Sequence, residues 1–118
     1  VAILCSEKQP ALDFYCGTLG FQVVLEYARP ERADEILMLE GYGFTIELFV
    51  ESGRPARPTE PEAYGLRHLA LHVDDVRKTV AQIIAAGYEA EPIRQNPFNG
   101  KLLTFVKDPD GLPIELHE

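Results

Sequence analysis

The 118-residue chain has no tryptophan, one methionine, three histidines and only two cysteines, Cys5 and Cys16. Two cysteines cannot build the disulfide framework on which small secreted domains depend, so we expect both to be reduced and packed as small apolar side chains. No run of about 18 apolar residues is present, which argues against a membrane-spanning helix. With 46% apolar and 25% charged residues, the composition predicts one globular domain, and a cytoplasmic location fits.

Positive charge is also scarce. Eleven Lys and Arg residues stand against nineteen Asp and Glu residues, and the net charge is −8. An acidic surface repels phosphate backbones, which argues against nucleic acid as a partner. The same surface suits cations and neutral ligands better. We expect the partner to be a small-molecule substrate rather than a nucleic acid or a membrane.

The chain does contain an internal repeat. GFTIELF at 43–49 and GLPIELH at 111–117 share glycine, isoleucine, glutamate and leucine, and the second segment follows the first by 68 residues. The same offset places VAILC at 1–5 on LALHV at 69–73. The sequence therefore predicts two copies of one structural unit, with a carboxylate at the same position in each.

The first copy predicts one strand, one helix and three further strands. Ser6 and Gln9 have the spacing of a capping box, an apolar stripe follows, and Gly20 ends the helix. The stripe consists of Leu12, Tyr15 and Leu19. The strands predicted for this copy lie at 1–5, 21–28, 35–40 and 44–50.

The second copy predicts the same order of elements. Asp74 or Asp75 can cap a helix that ends at Gly87. The predicted apolar face of this helix consists of Val76, Val80, Ile83 and Ile84. The strands predicted for this copy lie at 69–73, 88–94, 102–107 and 112–118.

Residues 51–65 contain three prolines and predict an extended linker. We therefore expect a single α+β domain over residues 1–118, with module one at 1–50 and module two at 66–118. Because one such unit cannot bury its sheet alone, we expect the two to form a curved sheet with helices outside and an internal cleft. The linker can cross to the other half of the chain or to a second subunit.

Strand alternation places the polar residues Glu47, Glu115 and His68 opposite the aliphatic faces of their strands. A Glu or His in this position usually marks the solvent side of a half-buried strand. The shared register of the two carboxylates favours a functional site instead. Phe49 and Ala70 on the same faces support this interpretation, because neither is an ordinary choice for a solvated surface.

The repeat also predicts a residue that the sequence does not contain. His68 corresponds to the position immediately before Val1, where we expect a ligand-type side chain, most simply His. Two imidazoles and two carboxylates suit a divalent first-row metal ion such as Ni, Co, Mn or Zn. Coordination positions left for water or substrate would make the site catalytic.

These features resemble the vicinal oxygen chelate superfamily, and specifically its small bacterial glyoxalase-I-like members. The resemblance covers essentially the whole chain and is carried by HLALHVDD at 68–75, FTIELF at 44–49 and FVKDPDGLPIELHE at 105–118. It implies the glyoxalase/bleomycin resistance/dioxygenase fold and a homodimer. It also implies that His68, Glu47 and Glu115 bind a divalent metal ion, with a fourth ligand just before Val1.

The resemblance further implies an activity similar to that of lactoylglutathione lyase, a carbon–sulfur lyase. The expected substrate is a hemithioacetal of a 2-oxoaldehyde and a thiol such as glutathione. By resemblance, Glu115 is the candidate base and Glu47 the carboxylate on the opposite side. Arg29 and Arg32 are candidate contacts for a substrate carboxylate, because guanidinium groups bind carboxylates through two hydrogen bonds.

The same fold leaves other functions open. A metal-dependent thiol transferase or a ring-opening dioxygenase would use two His and one Glu, and the additional Glu47 favours the lyase over these. A non-catalytic protein that binds an antibiotic needs no metal ligands and commonly lines its cleft with aromatic residues. The lack of tryptophan and the presence of ligand-type residues argue against it. A third alternative is a regulatory or orphan protein that keeps the metal ion but acts on an unknown substrate.

Overall fold

Two four-stranded sheets, one in each half of the chain, form the framework of the computed structural model, which describes all 118 residues. The chain divides into a first unit, Val1–Ala56, and a second unit, Arg57–Glu118. The division falls inside the segment 51–65 that the prolines predict as a linker. None of the helices is long and apolar enough to cross a membrane.

The sheet of the first unit contains four strands in the order β1-β4-β3-β2. β1 pairs with β4 in parallel, and the other neighbours pair antiparallel. The strands are β1 (Ala2–Cys5), β2 (Gln22–Arg29), β3 (Asp34–Gly41) and β4 (Phe44–Val50). All four agree with the predicted strands to within one residue at either end.

The sheet of the second unit repeats this arrangement in the order β5-β8-β7-β6. β5 pairs with β8 in parallel, as β1 does with β4. The strands are β5 (Leu69–His72), β6 (Arg94–Gln95), β7 (Leu102–Lys107) and β8 (Pro113–His117). The predicted α+β fold of two repeated modules is thus confirmed.

One predicted strand is largely wrong. Residues 88–94 form only an isolated bridge from Ala90 to Val106 before the two-residue strand β6 begins at Arg94. Pro92 lies between these points and has no N–H to donate to a ladder. The second sheet therefore ends in a much shorter edge strand than the first.

The first helical segment differs from the regular helix that its apolar stripe predicts. α1 (Lys8–Leu12) is followed by a π-helical segment, Asp13–Thr18. The helix begins at Lys8, and Glu7 at the N-cap position makes no side-chain capping hydrogen bond. Ser6 of the predicted capping box lies one residue before that position. The wider turn of a π-helix places the consecutive residues Phe14 and Tyr15 together in the core, with ring centroids 5.1 Å apart.

The second helix, α2 (Val76–Ala85), is a regular α-helix. Its N-cap is Asp75, whose Oδ1 accepts a hydrogen bond of 2.9 Å from the backbone N–H of Lys78. Three of the four residues predicted for its apolar face are buried, namely Val76, Val80 and Ile83. The fourth assignment is wrong, since Ile84 is 57% exposed.

The aliphatic faces of β4 and β8 form the centre of each core. Leu48 and Leu116 occupy equivalent positions and are fully buried, as are Ile46 and Ile114. Burial of a side chain of this size contributes roughly 1.5–3 kcal/mol. Because these residues anchor one face of each strand, the residues between them must point to the opposite face.

The turn before β8 is fixed by one buried carboxylate. Asp108 Oδ1 accepts hydrogen bonds from the backbone N–H groups of Asp110, at 3.0 Å, and Leu112, at 2.8 Å. Gly111 completes the turn with φ at 88°, a conformation that glycine adopts without a steric penalty. This turn sets where β8 begins and therefore which of its residues face the open side of the sheet.

Candidate metal and substrate site

Glu47 and Glu115 occupy equivalent positions in the two sheets. Glu47 lies opposite Ala2 of the parallel neighbour β1, and Glu115 lies opposite Ala70 of β5. Both glutamates are half-buried. The two glutamates that repeat in the sequence therefore also occupy the same position in the strand pairing of each sheet.

His68 and Glu115 meet in the second unit. His68 Nε2 lies 3.1 Å from Glu115 Oε2, and the two side chains are 30% and 20% exposed. Phe105, opposite Glu115 on β7, makes an edge-to-face contact with the imidazole, with ring centroids 5.1 Å apart. The imidazole is thus held between an aromatic ring and a carboxylate, with part of its surface accessible to a ligand.

The chemistry of this pair fits a divalent metal ion. An imidazole nitrogen and a carboxylate oxygen are ordinary ligands of zinc, nickel and cobalt. Two ligands at about 2.0–2.2 Å from one cation lie roughly 3–3.5 Å apart at octahedral or tetrahedral angles. The observed N–O separation of 3.1 Å falls in this range.

The structure brings together two of the three predicted ligands. Glu47 belongs to the first unit, where its backbone N–H donates a 2.8 Å hydrogen bond to the carbonyl of Val1. No group of three or more His, Cys, Asp or Glu side chains that could hold a metal ion is present in the structure. The pair His68–Glu115 is therefore the part of the predicted site that the second unit assembles.

A pocket of about 360 Å³ opens beside His68 within the second unit. This volume is in the range of small-molecule sites. His68 and Phe105 form part of its wall, and the charged lining residues are four bases and two acids. These are Arg57, Arg67, Arg94, Lys107, Glu62 and Glu91.

The bases of the pocket differ in how they are paired. Arg67 Nε donates a 2.8 Å hydrogen bond to Glu62. Arg94 Nη1 lies 3.9 Å from Glu91 Oε2, and the Arg94 guanidinium lies over the ring of Phe105. Arg57 and Lys107 have no carboxylate partner. The pocket is therefore basic in a chain of net charge −8, and it suits a ligand with an anionic group.

The two arginines predicted to bind substrate lie in the first unit. Arg29 Nε donates a 2.8 Å hydrogen bond to Asp34, and its guanidinium lies over the ring of Phe49 at 5.4 Å. These hydrogen bonds raise the pKa of Arg29 and lower that of Asp34. Arg32 lies in a short 3₁₀ turn, Pro30–Arg32. A substrate carboxylate would have to compete with Asp34 for Arg29.

Sequence reasoning missed Phe105, Lys107 and Arg57 as parts of the site. Phe105 and Lys107 could have been predicted from the sequence, because strand alternation along β7 places both on the face of Glu115. Arg57 could not have been predicted, since its hydrogen-bond partners are backbone carbonyls, which no residue pattern reveals.

Comparisons with known proteins agree with this architecture. The family described as the Glyoxalase/Bleomycin resistance protein/Dioxygenase superfamily matches residues 1–116. The chain is 47% identical to the uncharacterized protein YwkD of Bacillus subtilis (strain 168) over 119 residues, covering 100% of this chain and 93% of that protein. It is also similar to the crystal structure of a glyoxalase family protein from Enterococcus faecalis, with 47% identity, a TM-score of 0.93 and coverage of 100% and 94%.

A more distant relative has a named activity. The probable lactoylglutathione lyase of Vibrio cholerae serotype O1 (strain ATCC 39315 / El Tor Inaba N16961) is 32% identical over 114 residues. That match covers 90% of this chain and 78% of the lyase.

Proposed function

Because the chain belongs to the Glyoxalase/Bleomycin resistance protein/Dioxygenase superfamily, we propose that it is a metal-dependent lyase of the glyoxalase-I type. Its substrate in this proposal is the hemithioacetal of a 2-oxoaldehyde and a thiol, which the enzyme converts to a 2-hydroxyacyl thioester. The observation that carries the proposal is the contact of His68 with Glu115, at a register that Glu47 repeats in the other unit.

The proposed ligands of the metal ion are His68, Glu115 and Glu47, with a further ligand expected just before Val1. Zinc, nickel, cobalt and manganese are all compatible with this donor set. When bound, such an ion would polarise two adjacent substrate oxygens and stabilise the negative charge that develops on them.

Glu115 is the proposed base. Its carboxylate would remove the proton from the carbon that bears sulfur, and the electron pair of that C–H bond would form a double bond to the neighbouring carbon. The same carboxylate would then return the proton to the neighbouring carbon, while the hydroxyl proton passes to the other oxygen. A positioned base contributes about 10²- to 10⁴-fold to such a transfer.

The pocket supplies the contacts for the rest of the substrate. Lys107 has no carboxylate partner and lines the same pocket as His68, so it can pair with an anionic group of the thiol. Phe105 offers an apolar surface beside the reacting carbons. Glu115 itself is only 20% exposed, which limits competition from bulk water for the proton.

The proposal is tested by assaying thioester formation from methylglyoxal and glutathione, and then from methylglyoxal and other thiols. The protein is first made metal-free and reloaded separately with nickel, zinc, cobalt or manganese. We expect turnover with at least one metal and thiol, and its loss in Glu115→Gln. Absence of turnover with every combination, in protein shown to contain the metal, would reject the lyase.

Glu47 in this proposal is supplied by the same chain or by a second copy in a homodimer. A homodimer is compatible with edge strand β2, which exposes Val24 and Leu25 by 52% and 53%. Glu47→Gln and His68→Ala should each lose activity when assayed alone at limiting metal. The two variants distinguish the arrangements when they are co-expressed, purified as hybrids and assayed at the same metal concentration. Recovered activity means that one site draws residues from two copies, whereas inactive hybrids mean that each chain completes its own site.

A further inference from the structure

Arg57 makes an unusual pair of hydrogen bonds. Its Nη2 donates to the backbone carbonyls of Leu66, at 2.5 Å, and Arg67, at 3.0 Å. Its Nε is buried and has no hydrogen-bond partner, and no carboxylate pairs with the guanidinium. The two carbonyls are therefore what Arg57 binds, and they directly precede His68 in the chain.

The backbone of His68 lies just outside the strand ladder. β5 begins only at Leu69, whose partner in the ladder is Ile114. His68 therefore precedes the strand. The carbonyl of Arg67 and the N–H of His68 belong to one planar peptide group. A hydrogen bond that fixes this carbonyl also fixes the plane from which the Cα of His68 projects.

Polar contacts close the segment 57–67 into a loop. The backbones of Thr59 and Glu62 form an isolated antiparallel β-bridge, and Arg67 Nε donates a 2.8 Å hydrogen bond to the side chain of Glu62. Apolar burial contributes little here, since Tyr64 is fully exposed and Leu66 is 53% exposed. The hydrogen bonds of Arg57 join the start of this loop to its end, and they therefore constrain the geometry of the loop.

We propose that Arg57 is a positioning residue for His68. By holding the carbonyls of Leu66 and Arg67, it keeps the imidazole of His68 against Glu115 and so raises the affinity of this pair for a divalent cation. The inference rests on the proposed function in that it takes His68 and Glu115 as metal ligands. Loss of a partner that orients a ligand typically weakens metal binding about 10- to 100-fold.

The test measures zinc and nickel binding to metal-free protein by isothermal titration calorimetry. Arg57→Ala should weaken binding about 10- to 100-fold, and Arg57→Lys should weaken it less, because an ammonium can still donate to one carbonyl. The matched control is Arg54→Ala, three residues earlier, since Arg54 pairs with Glu51 and not with this loop. Added guanidinium ion, below denaturing concentrations, should restore affinity in Arg57→Ala alone.

A second measurement does not depend on metal. The ¹³C relaxation of the His68 ring in metal-free protein should show greater mobility in Arg57→Ala than in the wild type or Arg54→Ala. Equal metal affinity and equal ring mobility in Arg57→Ala and Arg54→Ala would overturn the role of Arg57. Failure of the wild type to bind zinc or nickel through His68 and Glu115 would reject the proposed function, and with it the effect of Arg57 on affinity.

Discussion

The two units present the same carboxylate on the same strand framework but surround it differently. Two residues beyond the glutamate, on the same face of the sheet, the first unit pairs Leu4 with Phe49. The second unit pairs His72 with His117 at the equivalent position. The ring of Phe49 lies under Arg29. The rings of His72 and His117 contact each other edge to face, with centroids 5.7 Å apart.

This difference shows which part of the site the fold determines. The pattern of parallel and antiparallel neighbours fixes the position of the glutamate in both units. The residues around it vary without changing that pattern, because they lie on the open face of each sheet and are not needed to fill its core. Strand register therefore places the carboxylate at the same position in both units. The side chains around it make the two positions chemically different.

The largest expected effect separates the two glutamates. Glu115→Gln should lower kcat by about 10²- to 10⁴-fold, because it removes the proposed base, and it should also weaken metal binding. Glu47→Gln removes only a ligand, so once metal is saturating it should retain more activity than Glu115→Gln. Steady-state kinetics at saturating metal measure both. Equal losses of kcat would contradict the assignment of Glu115 as the base.

Substitution of the equivalent core leucines tests whether the two sheets are equally packed. Leu48→Ala and Leu116→Ala should each lower the free energy of unfolding by about 2–5 kcal/mol, since each leaves a cavity in a fully buried position. Urea denaturation followed by circular dichroism measures the change. A loss below about 1 kcal/mol at one site alone would show that one core is less tightly packed than the structure describes.

The helix caps should respond differently in the two units. Asp75→Ala should cost about 0.5–2 kcal/mol of stability, because it removes the side chain that caps α2. Glu7 caps α1 without a side-chain hydrogen bond, so Glu7→Ala should change stability by less than about 0.5 kcal/mol. Thermal denaturation of the two variants compares them, and the reverse order would contradict the description of the caps.

The smallest effect concerns the Arg29–Asp34 pair of the first unit. The hydrogen bond from Arg29 holds the pKa of Asp34 below its ordinary value. Its contribution to stability is thus complete above the unfolded pKa of about 3.9 and is lost as the pH falls through the folded value. Asp34→Asn should remove this dependence, so the stability difference between wild type and variant should shrink below about pH 4. A difference that is constant from pH 7 to pH 3 would contradict the pairing.

Much of the fold could be predicted from the sequence because the repeat appears at the level of residues. Glu47 and Glu115 follow the strand period, and their aliphatic neighbours define which face is buried. The π-helical segment after α1 and the truncation of β6 could not be predicted in this way. The first depends on how Phe14 and Tyr15 fit the core together, and the second on where Pro92 falls relative to the ladder.

Only those residues of the candidate site that lie on or next to strands could be predicted from the sequence. The sequence placed Glu115 on one strand and His68 at the start of another, and the structure brings the two side chains together. Arg29 was a reasonable candidate from its charge, but its pairing with Asp34 depends on the turn between β2 and β3. Arg57 lies in a proline-rich segment where no periodicity constrains the side chain, so its contacts become visible only in the folded structure.

The most direct test is a crystal structure of protein loaded with cobalt, nickel or zinc, with the ion located by its anomalous scattering. We expect one strong peak at about 2.0–2.2 Å from His68 Nε2 and from an oxygen of Glu115, with Glu47 as a further ligand. A peak that contacts neither His68 nor Glu115, or no peak at full metal loading, would contradict the metal site.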